Sequence, residues 1–122
     1  MSTLFFLPGE RDLAALQRLD PDRDAPEFRR GERAWVLQTF LRVRAAGFPC
    51  TLGDRIPAAG LVLFHNKHER FVRRGIPSGG EPVLVGIRAD NREALAAEVE
   101  LVQNGKFAQF GRRLVMPLWP QP

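Results

Sequence analysis

The sequence predicts an α/β fold with a mostly parallel sheet and flanking helices, and three observations support this expectation. Three short apolar runs each end in a polar side chain, over residues 60–65, 82–90 and 99–104. Residues 83–87 are almost wholly apolar, which is typical of a strand covered on both faces. Segments with helical periodicity alternate with such runs, as in sheets built from strand and helix units. The polar ends would then meet at one carboxyl edge, where open α/β sheets bind ligands.

For the first third of the chain, the sequence predicts one strand followed by one long connection. Residues 3–8 are apolar and close on Pro-Gly, so we expect a first strand there. Residues 10–32 carry many charges, two prolines and only a weak helical stretch over 13–19. We expect a loop or a mobile flap in that segment.

Residues 33–46 predict an amphipathic helix. Their apolar positions fall on one helical stripe, with Gln38, Arg42 and Arg44 mostly on the other side. Gly47 supplies the left-handed stop that commonly ends a helix. Trp35 is expected to be a partly buried core residue.

The middle of the chain continues the alternation of strand and helix. Residues 48–53 and 61–64 predict two strands, separated by the turn-forming residues 56–60. Residues 66–74 predict a short basic helix, and residues 77–82 predict a loop.

The end of the chain predicts two more strands and a tail. Asp90 or Asn91 can cap a short helix over 92–97, before a strand near Val99. A last strand begins at Arg113. We therefore expect one Rossmann-like domain over residues 1–115. Residues 116–122 have the composition of a stiff, proline-rich linker, which implies an absent second domain.

Composition and charge narrow the class of protein. The chain has 122 residues, 44% hydrophobic and 26% charged, which fits one globular domain and excludes disorder along its whole length. No apolar stretch approaches the roughly 20 residues that span a bilayer, and the N-terminus does not resemble a secretory signal, so we expect a cytoplasmic protein. The net charge of +4 is spread among 14 acidic residues without a long basic run, so a nucleic-acid partner is not favoured.

Cysteine and glycine patterns exclude several kinds of site. Cys50 is the one cysteine, so no intramolecular disulfide or cysteine metal cluster is expected, and a small core residue is favoured over a reactive thiol. Neither glycine-containing loop, at residues 8–9 or 78–80, matches a phosphate-binding fingerprint. His65 and His68 could share a helix face, but no third ligand stands at a suitable spacing. We expect no cofactor and no metal.

Several of these segments, taken in order, resemble a known family. The match covers roughly residue 34 to the end and leaves residues 10–32 unexplained. The segments are the helix before Gly47, Ile56-Pro-Ala-Ala-Gly60, Leu61-Val-Leu-Phe-His65, Val83-Leu-Val-Gly-Ile-Arg88-Ala-Asp90, Val102-Gln-Asn104 and Met116-Pro-Leu-Trp-Pro-Gln-Pro122. Together they resemble the N-terminal, acceptor-side domain of bacterial glycosyltransferase-like proteins of the GT-B fold.

The resemblance implies half of a GT-B architecture. Such enzymes hold the acceptor mainly in the first Rossmann-like domain and the nucleotide-sugar donor mainly in the second. We therefore expect the parent protein to transfer a sugar from a nucleotide-sugar donor, and the chain alone to be inactive. The surface meant for the missing domain, around His65, Arg88, Asn104 and Trp119, should be exposed and prone to self-association.

The resemblance also suggests roles for single residues. His65 would face the cleft as the catalytic candidate, where a neutral imidazole can bind a sugar hydroxyl or steady a leaving group; the alternative is a histidine in a surface loop. Arg88 and Asp90 are candidates for binding substrate, although an ion pair between them or a helix cap at Asp90 is favoured. Asn104 is a further substrate-binding candidate, although a turn residue is favoured there.

Two other functions stay open. A stand-alone Rossmann-like binding module without catalysis would need no second half. A small basic nucleic-acid-associated protein would bind with an affinity that falls steeply with salt.

Overall fold

The computed structural model describes residues 2–28, 32–88, 99–102 and 113–115, with side chains for residues 2–28 and 32–87. The strands are β1 (Thr3–Phe6), β2 (Thr51–Gly53), β3 (Leu61–His65), β4 (Val83–Arg88), β5 (Val99–Val102) and β6 (Arg113–Val115). The α-helices are α1 (Leu13–Leu16), α2 (Gln38–Ala45) and α3 (Glu69–Gly75). A π-helical turn over Arg33–Leu37 leads into α2, and 3₁₀ turns cover Ala25–Phe28 and Asn66–His68.

The sheet is parallel throughout, with strand order β2-β1-β3-β4-β5-β6. This confirms the expected Rossmann-like α/β fold. The first strand lies inside the sheet, because β2 pairs on one side of it and β3 on the other. The connections after β1 and β3 consequently leave in opposite directions. Such a reversal of strand order is the switch point at which open α/β sheets place a ligand.

Helices cover both faces of the sheet. Alternate residues of β1 point to opposite faces, so Phe5 packs with α2 while Leu4 and Phe6 pack with α3. The face of α2 buries Phe5, Leu7, Leu16, Phe28, Ala34, Trp35, Val36, Leu37, Phe40, Leu41, Leu52 and Ile87. The face of α3 buries Leu4, Phe6, Ile56, Val62, Phe64, Val72 and Leu84. Burial on both faces explains why β3 and β4 read as nearly continuous apolar runs.

The three apolar runs noted in the sequence form neighbouring strands, as expected. β3, β4 and β5 are consecutive in the sheet, with His65 opposite Ile87 and Arg88 opposite Val102. The carboxyl ends of all three strands therefore meet at one edge.

The segment before α2 was expected to be a loop or a mobile flap, but two of its side chains are packed in the core. Leu16 is 7% exposed and Phe28 is 1% exposed, and both pack under the face that α2 covers. The side chain of Asp12 caps α1 by accepting the N–H of Ala15 at 3.0 Å. Because charged residues surround Leu16 and Phe28 in the sequence, the apolar pattern did not predict that they would be buried.

The prediction for α2 was correct in extent but wrong for Gln38. This side chain is 1% exposed rather than on the polar side. Its amide donates to the carbonyl of Ala34 at 3.3 Å, and its oxygen accepts from Nε of Arg42 at 2.9 Å. The wider π-helical turn over Arg33–Leu37 rotates the residues after it relative to a regular α-helix, so a regular helical wheel misplaces Gln38. The stop at Gly47 is as predicted, with φ +91°.

Two core predictions can also be compared with the structure. Trp35 is 2% exposed, so it is buried more completely than expected. Cys50 packs, partly buried, against the core that contains Phe40. Burial raises the pKa of its thiol, against a smaller opposing effect of Arg44, which fits a structural cysteine.

The expected helix over residues 92–97, its cap and the linker over residues 116–122 lie outside the described residues. Among the described residues, no helix combines the length and the apolar character that crossing a membrane requires.

Candidate ligand site at the carboxyl edge

A cleft of about 650 Å³ lies at the switch point, where the chain leaves β1 and β3. Its volume falls within the range of about 300 to 1,000 Å³ that is usual for small-molecule sites. We call it the switch-point cleft; its lining residues are Pro8, Gly9, Glu10, Pro26, Glu27, Glu32, Arg33 and His68. The fold thus brings the loop after β1, the segment before α2 and the turn after β3 to one place.

Arg33 holds one wall of the cleft. Its Nε and Nη2 donate to the two carboxylate oxygens of Glu10 at 3.1 and 3.0 Å, and its Nη1 donates to Glu27 at 2.7 Å. The hydrogen bond to Glu10 is the main cause that raises the pKa of Arg33, so the guanidinium stays charged. A planar guanidinium can satisfy two carboxylates in this way, whereas an ammonium cannot reproduce the fork. Arg33 therefore ties the loop after β1 and the 3₁₀ turn to the start of α2.

Glu32 and His68 form a second polar pair in the cleft. Oε1 of Glu32 lies 2.9 Å from Nε2 of His68 and also pairs with the ammonium of Lys67. Burial opposes ionisation of Glu32, but the hydrogen bonds from Lys67 and His68 outweigh it and lower the pKa of this carboxyl. An ionised carboxylate can only accept, so Nε2 of His68 carries the proton that is shared with Glu32.

The turn after β3 contains buried polar atoms without a partner. Nδ1 of His68 and both amide atoms of Asn66 are buried and make no hydrogen bond to any described residue. Leaving such a group unsatisfied costs about 1 to 3 kcal/mol. The ring of His68 meets Phe6 and Phe71 edge to face, with centroids 6.3 and 6.1 Å away. Aromatic packing thus fixes an imidazole whose second nitrogen has no hydrogen-bond partner among the described residues.

The charge of the cleft favours some ligands over others. Among the described side chains, Glu10, Glu27 and Glu32 supply three carboxylates, and the permanent cations that pair with them are Arg33 and Lys67. Since the guanidinium of Arg33 is already engaged by two carboxylates, a phosphate would meet more negative than positive charge among the described side chains. Hydroxyl groups, which both donate and accept, suit this wall better. No group of three or more metal-ligating side chains was found among the residues described.

The structure places two of the sequence candidates, His65 and Arg88, at the same edge but tests neither of their roles. His65 is the last residue of β3 and 8% exposed, so it is buried rather than exposed as expected and does not lie in a surface loop. Its Nδ1 accepts the N–H of Lys67 at 3.3 Å. Arg88 ends the neighbouring strand β4, and only its backbone is described. Asp90 and Asn104 lie outside the described residues. The catalytic role of His65 and the binding roles of Arg88, Asp90 and Asn104 stay predictions.

Sequence reasoning missed most of the cleft. Glu10, Glu27 and Glu32 belong to the segment that was expected to be a loop, and Arg33 was expected only as the first residue of a helix. As a site residue, His68 was considered only as a partner of His65 in a metal site. One signal was available, because charges of both signs crowd residues 27–33 immediately before a helix. These charges point to a site only when the strand order is known, because the segment lies over β3 only if β1 is inside the sheet between β2 and β3.

The fold and the cleft together establish the class of domain. The chain is a small Rossmann-like α/β domain. In comparisons with known proteins, no family model, no curated protein and no solved structure matches it.

Proposed function

We propose that this Rossmann-like domain is the acceptor-side domain of a GT-B-like glycosyltransferase, and that the switch-point cleft binds a neutral acceptor rich in hydroxyl groups. The observation that carries the proposal is the cleft itself. It combines three carboxylates, a guanidinium and an imidazole at the position where parallel sheets bind ligands. The motifs that resemble the N-terminal half of such enzymes support the same assignment.

The polar groups of the cleft favour the acceptor over the donor. Carboxylates accept hydrogen bonds from sugar hydroxyls, and Arg33 can donate from the same wall. A nucleotide sugar brings a diphosphate, which the carboxylates of Glu10, Glu27 and Glu32 disfavour. The donor would then be bound by the second domain, as the resemblance implies.

The transfer reaction needs a group that accepts a proton from the acceptor. The acceptor hydroxyl oxygen forms a bond to the anomeric carbon, the bond from that carbon to the phosphate oxygen breaks, and the hydroxyl proton must leave. In this proposal His68 is the acceptor of that proton, because its imidazole lines the cleft and is held there by Glu32. His65 remains the other candidate, one turn earlier in the chain.

Chemical-shift mapping tests the binding part of the proposal. The ¹⁵N-labelled chain is titrated with the methyl glycosides of glucose, galactose, mannose and N-acetylglucosamine, and separately with UDP-glucose. We expect at least one glycoside to shift the amides of Gly9, Glu32 and His68, and UDP-glucose to leave them unchanged. Shifts at these amides with UDP-glucose, and none with any glycoside, would overturn the assignment of the cleft to the acceptor.

A pair of carboxylate variants makes this test specific. Glu32→Gln removes a charge inside the cleft and should weaken glycoside binding about tenfold, the effect of losing a charged hydrogen bond. Glu81→Gln removes an exposed carboxylate before β4, outside the cleft, and should bind like the wild type. Equal binding by both variants would contradict the proposed role of Glu32.

The gene separates this proposal from a stand-alone binding module. A reading frame that continues beyond Pro122 for the length of a second Rossmann-like domain would supply the donor side. A stop codon at that point, together with glycoside binding in the cleft, would favour a binding module without catalysis.

A further inference from the structure

A second cavity, of about 500 Å³, lies on the other side of the Pro8–Gly9 turn. Its lining residues are Phe6, Pro8, Gly9, Asp54, Arg55, Ile56, Phe71 and Gly75. We propose that this cavity is a subsite for the next sugar ring of an oligosaccharide acceptor whose terminal ring occupies the switch-point cleft. This inference rests on the proposed function and adds to it the class of acceptor.

Phe71 provides a platform for a ring. Its side chain is 62% exposed, one of two large hydrophobic side chains so exposed among those described. The ring forms a wall of the second cavity, and buried Phe6 and Ile56 lie below it. A pyranose has a face of C–H groups that packs against an aromatic ring, so a sugar would cover apolar surface that is otherwise exposed to water.

The rim of the second cavity is polar. Asp54 and Arg55 follow β2 and are exposed, and neither has an ion-pair partner among the described residues. A carboxylate and a guanidinium can accept from and donate to the hydroxyl groups at the edge of a ring whose face lies on Phe71. An apolar floor with charged groups at its rim matches a sugar better than a purely apolar ligand.

The two cavities share two lining residues. Pro8 and Gly9 line both of them. Gly9 has φ +81°, and no atom lies within 4 Å of the position that a Cβ would occupy there. No described atom therefore stands beside Gly9 on the side where a Cβ would point, and in this proposal the link between two sugar rings crosses the turn there. The imidazole of His68 lines the switch-point cleft. Its ring centroid is 6.1 Å from that of Phe71, which lines the second cavity, so His68 lies next to both cavities.

The chain offers a matched pair of variants for the test. Phe71→Ala removes the platform, while Phe48→Ala removes the other exposed phenylalanine, which is 51% exposed and precedes β2 at the opposite edge of the sheet. Both side chains are exposed, so neither truncation opens a hole in the core. Circular dichroism and thermal unfolding check that both variants keep the wild-type fold.

The experiment applies the labelled 122-residue chain to an array of mono-, di- and trisaccharides that share terminal sugars. Titrations then give the affinity for each matched pair of monosaccharide and disaccharide that binds. We expect a disaccharide to bind about five- to tenfold more tightly than its terminal monosaccharide, the usual size of a ring-stacking contribution. Phe71→Ala should abolish this difference, and Phe48→Ala should preserve it.

The outcomes distinguish the subsite from the proposed function. Monosaccharide binding without any gain for the disaccharide, unchanged by Phe71→Ala, would overturn the subsite and leave the proposed function standing. A chain that binds no saccharide on the array would overturn the proposed function and the subsite together. Equal loss of disaccharide binding in Phe71→Ala and Phe48→Ala would also contradict the assignment to Phe71.

Discussion

The carboxylate of Glu32 lies 2.9 Å from Nε2 of His68, although 36 residues separate them along the chain. This contact joins the start of the helical segment before α2 to the turn that follows β3. It exists because β1 lies inside the sheet, which brings the connection between β1 and β2 over the end of β3. The same carboxylate pairs with Lys67, so the side chain of Glu32 contacts two of the three residues in the 3₁₀ turn Asn66–His68.

The first prediction concerns pH. Because the folded chain holds the pKa of Glu32 below its usual range, ionised Glu32 stabilises the fold above the ordinary glutamate pKa of about 4.3. This contribution is lost as pH falls through the lower pKa of the folded state. Glu32→Gln should therefore lower the free energy of unfolding by about 1 kcal/mol at pH 7 and by less below pH of about 4. Urea unfolding of both proteins from pH 7 to pH 3 measures the difference.

Glu81→Gln is the control for this series. Its carboxylate is exposed and pairs with no described residue, so its unfolding curve should follow that of the wild type at every pH. A gap between Glu32→Gln and the wild type that stayed constant down to pH 3 would contradict the linkage.

The second prediction concerns the fork of Arg33. Arg33→Lys keeps the charge but loses the paired hydrogen bonds to Glu10, so the segment before α2 should open more often. We expect amide hydrogen exchange over residues 10–28 to become about five- to tenfold faster, with the sheet amides much less affected. Arg23→Lys is the control, because the exposed side chain of Arg23 pairs, among the described residues, with its neighbour Asp24 and with no other carboxylate. Faster exchange in both variants would show that the fork has no special role.

The third prediction compares two phenylalanines. Phe28 is 1% exposed in the segment before α2, whereas Phe48 is 51% exposed beyond the end of α2. Phe28→Ala should lower the free energy of unfolding by about 3 to 5 kcal/mol, because it empties a packed site. Phe48→Ala should change it by less than about 0.5 kcal/mol. Urea unfolding measures both, and a loss below about 1 kcal/mol for Phe28→Ala would mean that this segment is not anchored in the core.

The sheet could be predicted from the sequence because its signal is local. The apolar runs of β3 and β4 and the stop at Gly47 each depend on neighbouring residues alone. Burial of Gln38 could not be predicted in this way, because the π-helical turn before it changes the phase of the helix. That turn is not visible in hydrophobic periodicity.

Most of the switch-point cleft could not be predicted for a different reason. Glu10 and Arg33 are 23 residues apart, and they meet only because the strand order carries their segment across β1. Apolar patterns predict that strands exist, but they do not give the order in which the strands pair. His65 was predicted at the correct edge because its position depends only on where β3 ends.

The last prediction concerns the close approach at the start of β3. Gly60 has φ +100°, and a Cβ there would lie 2.6 Å from the carbonyl oxygen of Ser2. That carbonyl accepts the N–H of Leu61 at 2.8 Å, which begins the pairing of β3 with β1. Gly60→Ala must therefore either strain this backbone or break the first rung of the pairing. We expect it to lower the free energy of unfolding by about 3 kcal/mol or more.

Gly79→Ala separates the cost of a left-handed backbone from the cost of the steric clash with Ser2 at Gly60. Gly79 has φ +77° but no atom within 4 Å of a Cβ, so alanine there suffers only the cost of a left-handed backbone, about 1 to 2 kcal/mol. Thermal and urea unfolding of both variants give the comparison. If the two losses were equal, Ser2 would have moved aside, and the register that β3 shares with β1 would not depend on Gly60. A larger loss for Gly60→Ala, with altered amide shifts at His65 and His68, would show that this contact at the amino edge positions the cleft at the carboxyl edge.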